Sequence, residues 1–363
     1  MERLTGKDLF GRKPKIKKNV SKKMIESGIS LIISSLQRKN IGSEIIDVTV
    51  GPTVIVYKLS IPVGILAKTI INLIESDLYE EKARAYLTNQ PFVFVEIPHK
   101  VKKILNLNKF LGLKISSKNI VMPIGKDSFN KTVTYNFEKQ GNLLISGVAG
   151  TGKTAFMHSM TTYLINTYSE DVLELYLLTA NWYNEFEVFK SSNKCHLSNN
   201  KEQSYETLKN LLKVKEERLK ILNENNVYSI NEFNNKYKDK IPSIIVFFEE
   251  FYECIREYND CESVIRELLR YSRFCGIYFI FSSASHMIRE IKSSLFSLFN
   301  NKISFILMDE VDSIKMLGGN YTKFYTRAGE FFYNSSSNLN PVRVLSPIID
   351  CKEIDEIIKT KRD

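Results

Sequence analysis

Eight residues constrain this chain more than any others: Gly147-Val148-Ala149-Gly150-Thr151-Gly152-Lys153-Thr154 fits the phosphate-loop pattern GxxxxGK[ST]. An apolar run of strand length, Asn142 to Ser146, precedes it, and a helical segment from Thr154 towards Tyr168 follows. Strand, glycine turn and helix in that order build an anion cradle. The glycines let successive N–H groups turn inward around a phosphate, and the helix N-terminus adds partial positive charge. Lys153 is then placed to reach the β/γ-phosphate oxygens, and the Thr154 hydroxyl to ligate Mg2+.

The surrounding pattern agrees with that turn. Apolar runs at Asn142 to Ser146, Leu173 to Thr179, Ser243 to Phe248, Gly276 to Ser283 and Lys302 to Leu307 alternate with helical segments. Runs apolar on both faces and separated by helices are what a parallel sheet covered on both sides requires, so this part of the chain is α/β. Tyr205, Leu208, Leu211, Leu212, Leu219 and Leu222 mark a long helix between the second and third runs, and Ser191 to Lys201 reads as a surface loop. The third run ends in Glu249-Glu250, two carboxylates at the edge where open α/β sheets hold their ligands. In a nucleotide hydrolase the first of such a pair holds Mg2+ and the second polarises the attacking water.

Ahead of this lies a smaller unit. Met24, Ile25, Ile29, Ile32, Ile33 and Leu36 recur at helical spacing, and two β-rich runs, Ile45 to Val50 and Thr53 to Leu59, flank the turn Gly51-Pro52. A helix from Ile65 to Ser76 and a strand from Phe92 to Ile97 complete an α+β pattern. The reading divides the chain into a basic flexible arm (1–22), a small α+β domain (23–115) and the phosphate-loop domain (116–363).

Composition removes other classes. With 43% hydrophobic and 25% charged residues the chain is neither disordered nor fibrous. No apolar stretch reaches membrane-spanning length and no signal peptide precedes the lysines of the N-terminus, so a soluble, cytoplasmic chain is expected. Five cysteines without a CxxC pair argue for reduced thiols rather than a disulfide framework or zinc. The net charge is +10, and residues 1–40 hold eleven Lys and Arg against three acidic residues. Such an arm suits a polyanion or an anionic surface, and equally a solvated tail.

Two further basic sets are open in the same way. Arg266, Arg270 and Arg273 recur before the fourth run, as an arginine finger for a neighbouring copy or as a solvated face. His286, Arg289 and Lys292 follow that run, to meet DNA phosphates or water.

Taken together, the chain resembles the FtsK/SpoIIIE family of hexameric DNA translocases from about residue 40 to the end. The resemblance rests on Val50-Gly51-Pro52-Thr53-Val54, Glu96-Ile97-Pro98-His99, Ile124-Gly125-Lys126-Asp127, Glu217-Arg218, Glu250-Phe251, Arg273 with Gly276-Ile277, Asp312-Ser313 and Pro341-Val342-Arg343-Val344, all in family order. It implies a RecA-like P-loop NTPase motor domain with a predominantly parallel sheet, preceded by a small family-type β domain. It further implies ATP and Mg2+ bound between subunits of a homo-hexamer, double-stranded DNA in a central channel, Arg273 acting in trans, and Arg289 and Lys292 facing the DNA. The resemblance thus implies an ATPase that drives DNA transfer or segregation, served by a recruiting partner at a membrane or on a mobile element.

The chain departs from the family pattern at three places. Glu249-Glu250 stands for Asp-Glu, Thr179-Ala180-Asn181 for Asp-Pro-Lys, and Ser283-Ala284 for Thr-Gln. The longer first carboxylate and the missing polar sensor imply weakened hydrolysis. The chain ends at Asp363 without the family's winged-helix domain and lacks its membrane anchor, so movement without inherent direction is expected. Two alternatives stand beside the DNA motor: an engine of the conjugation or type VII secretion kind, and a nucleotide-gated DNA-binding scaffold that does not hydrolyse.

Overall fold

The computed structural model describes residues 21–101, 103–112 and 119–361. The basic arm, apart from Ser21 and Lys22, and the expected domain boundary at 115/116 lie outside the described residues.

Two sheets organise the described residues. In the first, β1 (Ile45–Val50), β2 (Val54–Ser60), β3 (Arg84–Leu87) and β4 (Phe92–Pro98) lie in the order β1-β2-β4-β3, antiparallel throughout. The expected hairpin forms around Gly51-Pro52, with the Gly51 N–H donating to the Val54 carbonyl at 2.9 Å. Alternation along β2 and β4 turns one face towards the helices Lys22–Arg38 and Ala67–Asp77, where Ile32, Tyr57, Ile70, Ile74 and Val95 are fully buried. Gly51 is needed because a Cβ there would stand 2.1 Å from the Ser128 carbonyl, in the turn between the strands Val121–Asp127 and Thr132–Asn136 of the second sheet.

That second sheet has ten strands in the order β6-β5-β14-β13-β12-β7-β11-β10-β8-β9. They are β5 (Val121–Asp127), β6 (Thr132–Asn136), β7 (Leu143–Gly147), β8 (Leu173–Thr179), β9 (Cys195–Leu197), β10 (Ser243–Glu249), β11 (Ile277–Ala284), β12 (Asn301–Ser304), β13 (Glu330–Ser335) and β14 (Val342–Leu345). The five apolar runs of the sequence are β7, β8, β10, β11 and β12, the parallel centre of the sheet. Residues of β7 and β10 alternate between two cores. Leu143, Ile145, Ile245 and Phe247 pack with the helices Lys153–Thr167 and Cys351–Thr360, while Leu144, Ile244, Val246 and Phe248 pack with Lys201–Glu224 and Cys261–Leu269.

The outer strands escape the sequence pattern. Ser191 to Lys201, expected as loop, contains β9, a three-residue edge strand paired in parallel to β8. Gly125 and Pro123 interrupt β5, and β13 and β14 run antiparallel at the flank.

The two sheets meet over buried charge. Arg343 of β14 donates from Nε to Glu96 of β4 at 2.8 Å and sets Nη1 3.0 Å from Glu330 of β13. Ser128 donates to the second Glu96 oxygen at 2.6 Å, and Arg84 of β3 donates to the Pro341 carbonyl at 2.6 Å. Removing one member of such a cluster strands the others as buried unpaired charge, the costly way to break it. Among the described residues no helix is long and apolar enough to cross a membrane, and all five cysteines are free.

Candidate nucleotide site

The loop after β7 takes a course open to glycine. Gly147, Gly150 and Gly152 have φ of +156°, +74° and +112°. At Gly147 a Cβ would also stand 2.6 Å from that of Phe305, so β7 can pass β12 only without a side chain there. The loop is clamped from the flank of the sheet: Val148 N–H donates to the Ile306 carbonyl and Gly329 N–H to the Thr151 carbonyl, each at 2.9 Å. Thr151 Oγ1 closes the turn on the Val148 carbonyl at 2.7 Å. The helix Lys153–Thr167 starts directly from this turn.

Lys153 donates to the Gly147 carbonyl at 2.7 Å and lies 3.9 Å from a Glu250 oxygen. Burial pulls its pKa down, against the upward pull of Glu250 and Glu249. Glu249 ends β10 and is 4% exposed. Its Oε1 accepts from Thr154 Oγ1 at 3.1 Å, while its Oε2 is buried without a protein partner. Burial, with the neighbouring Glu185 carboxylate, pushes its pKa up to about 7. Glu250 has a left-handed φ of +51°, sparsely populated for a side-chain-bearing residue, and that turn aims its Oε2 at the Ala284 N–H, 2.7 Å away. The position that lacks the expected polar side chain therefore contributes a backbone donor.

This is a fit for a divalent cation on chemical grounds. Thr154 Oγ1 and an under-coordinated buried carboxylate are hard oxygen donors side by side, and among the described residues no cluster of three His, Cys, Asp or Glu forms a cage of its own. Mg2+ is bound in this way, by one or two protein oxygens together with substrate phosphates.

Sequence reasoning missed two residues here. Glu185 opens a 3-10 turn beyond β8, and its carbonyl lies 2.8 Å from Nε2 of His158, one turn along the helix from Thr154. A carboxylate after an irregular segment and a histidine on a buried helix face carry no spacing signal.

The other expected site residues lie elsewhere. Arg273 stands beside Gly141, where a Cβ would be 3.8 Å from the arginine Cδ, at the strand end where β7 begins. The phosphate loop leaves the opposite end of the same strand, so Arg273 and Lys153 of one chain are separated by the length of β7, about 17 Å. Arg289 is exposed but ion-paired to Asp309 at 2.6 Å and Asp312 at 2.7 Å, and Lys292 to Glu262 at 2.8 Å. Arg266 pairs with Glu262 at 3.2 Å.

Comparison with known proteins fits this geometry. The model of the FtsK/SpoIIIE family matches residues 113–324, and that of the FtsK alpha domain matches residues 4–99, which include the small sheet. The DNA translocase FtsK of Clostridium tetani is 23% identical over 374 residues, covering 97% of this chain and 49% of its own length. The DNA translocase SftA of Bacillus subtilis is 20% identical over 356 residues, covering 93% of this chain and 37% of its own. The chain thus spans about half or less of these relatives. Among solved structures, ATPases 2 and 3 of EssC from Geobacillus thermodenitrificans superpose with TM-score 0.64 at 18% identity over 73% of this chain and 52% of that one. The pCW3 conjugation coupling protein TcpA, solved as a monomer with ATPγS, gives 0.63 at 16% identity over 92% and 99%. Those likenesses show the fold. The chain belongs to the FtsK/SpoIIIE family, a family of P-loop ATPases.

Proposed function

We propose that this FtsK/SpoIIIE-family chain hydrolyses ATP to move double-stranded DNA, as a homo-hexameric ring in the cytoplasm. The observation that carries the reading is the arrangement of Glu250, fixed by the Ala284 N–H at 2.7 Å and 3.9 Å from Lys153, beside the phosphate loop. Glu250 is placed to orient a water and take its proton as the water oxygen bonds to the γ-phosphorus and the bridge to the β-phosphate breaks. Lys153 and the loop amides balance the charge that moves onto the phosphate oxygens. Thr154 and Glu249 would hold Mg2+, which supplies Lewis-acid neutralisation of the phosphates. Arg273 completes the site of a neighbouring copy, since its own loop is out of reach. Duplex DNA as the substrate is supported by the relatives named DNA translocases. The channel role of Arg289 and Lys292 requires them to exchange their present carboxylates for phosphates, a salt-sensitive trade.

A conjugation-type engine is a second reading, favoured by the near end-to-end match with the conjugation coupling protein TcpA. Either motor releases phosphate faster on linear duplex DNA, and Lys153→Ala abolishes the release. Nucleotide binding with no release above that blank, with or without DNA, marks a gated scaffold instead.

A further inference from the structure

The chain has a single tryptophan, Trp182, and it is 95% exposed. It stands beside Tyr183, itself 56% exposed, with ring centroids 6.0 Å apart. Both lie just beyond β8, whose last residue, Thr179, is paired with Glu249, so the aromatic pair sits on the same sheet edge as the candidate nucleotide site. The segment is tied at both ends. Asn181 N–H donates to Thr179 Oγ1 at 3.1 Å, and the Asn184 side chain accepts from Phe186 N–H at 2.9 Å and donates to Asn199 at 2.8 Å. Two large rings held in water by an anchored loop forgo the burial that aromatic side chains ordinarily obtain.

At the opposite end of the strands is a cavity of about 600 Å³ lined by Arg270, Tyr271, Arg273 and Phe274. Tyr271 is 67% exposed on a backbone with φ of +60°, and Phe274 is 40% exposed. The two surfaces are complementary in charge. Glu185 follows the Trp182 edge, with Glu187 beside it already paired to Lys190 at 2.7 Å, whereas Arg270 and Arg273 line the cavity, whose Glu267 is taken by Lys215 at 2.9 Å. Because they occupy opposite ends of one sheet, they join only between copies, head to tail, in a contact that repeats around a ring.

We infer that Trp182 and Tyr183 are the anchor by which each copy docks into the Tyr271/Phe274 cavity of a second copy of this chain. The inference rests on the ring proposed above and deepens it. Arg270 meets the indole face as a cation–π partner, and the same docking carries Arg273 to the edge that bears the neighbour's phosphate loop.

The single indole makes this directly measurable. Intrinsic fluorescence and sedimentation of the full chain are followed together over a concentration series with ATPγS. The emission is expected to move to shorter wavelength in proportion to the fraction assembled. Trp182→Ala should raise the assembly Kd at least tenfold, the loss of a buried aromatic anchor, and Trp182→Phe should restore part of it. Phe274→Ser should abolish the emission shift, with its thermal melt as the check on folding. Assembly with unchanged emission overturns the anchor and leaves the ring standing. A chain that stays monomeric under every condition overturns the ring and the anchor with it. A shift in dilute monomer on adding ATPγS alone, or duplex DNA alone, assigns the indole to nucleotide or DNA and overturns the proposal.

Discussion

Two buried glutamates of this chain, nearly equal in exposure, are driven in opposite directions. Glu96, at the junction of the sheets, is 1% exposed; Glu249, at the candidate nucleotide site, is 4% exposed. Burial raises the pKa of both. At Glu96 the guanidinium groups of Arg84 and Arg343 and the Ser128 hydroxyl overcome it, and the net shift is downward. At Glu249 burial is reinforced by the Glu185 and Glu250 carboxylates, and one oxygen has no protein partner. Both oxygens of Glu96 are satisfied from within, by Tyr86 and Ser128 on one and Arg343 on the other. Burial therefore does not distinguish a structural charge from a working one. Between these two residues the difference lies in the neighbours: paired guanidinium groups at Glu96, further carboxylates at Glu249.

The sharpest way to break this comparison is at the junction. Arg343→Ala strands Glu96 and Glu330, both at most 1% exposed, and should cost about 3–5 kcal/mol in denaturant unfolding. A cost below about 1 kcal/mol would show that the cluster is not a closed structural unit. Next in size, Lys153→Ala should lower ATP turnover by about 10²–10³-fold or more, while leaving the melting temperature in place, because the lysine serves the phosphates rather than the core. A comparable loss of stability would make Lys153 structural after all.

The comparison also has a pH signature. Glu96 has its folded pKa lowered below the ordinary 4.5, so its contribution to stability is present above 4.5 and is lost as the pH falls through the lowered value. Acid unfolding should begin below pH 4.5 in the unaltered chain, and Glu96→Gln should flatten that part of the stability profile. The smallest effect is expected at the other glutamate. Glu249→Gln removes a charge that burial disfavours, so the nucleotide-free chain should change by no more than about 1 kcal/mol, while Mg2+-dependent nucleotide affinity, read by calorimetric titration, falls.

The centre of this fold is legible in the sequence because the physics there is local. The runs of β7, β8, β10, β11 and β12 are apolar on both faces, and the glycine turn announces itself by spacing. The flank is not legible, since β13, β14 and β5 are stabilised by one another and by contacts such as Arg343 with Glu96, 247 residues apart. At the site, Lys153, Thr154, Glu249 and Glu250 follow from motif and context. The left-handed turn at Glu250, the donor from Ala284 and the nearness of Glu185 depend on backbone paths that no residue spacing records. The loop basics Arg289 and Lys292 illustrate the converse, since sequence shows the charge but not the Asp309, Asp312 and Glu262 that hold it.

The central claim is that Glu250, aimed by its strained turn and the Ala284 N–H, is the group that acts on water. Glu250→Gln keeps the shape and hydrogen-bonding length of the side chain while removing its ability to take a proton. Measured together, ATP affinity should stay within a few-fold of the unaltered chain and single-turnover phosphate release should fall by about 10²–10³-fold. Release within a few-fold of the unaltered chain, at unchanged ATP affinity, would contradict the account.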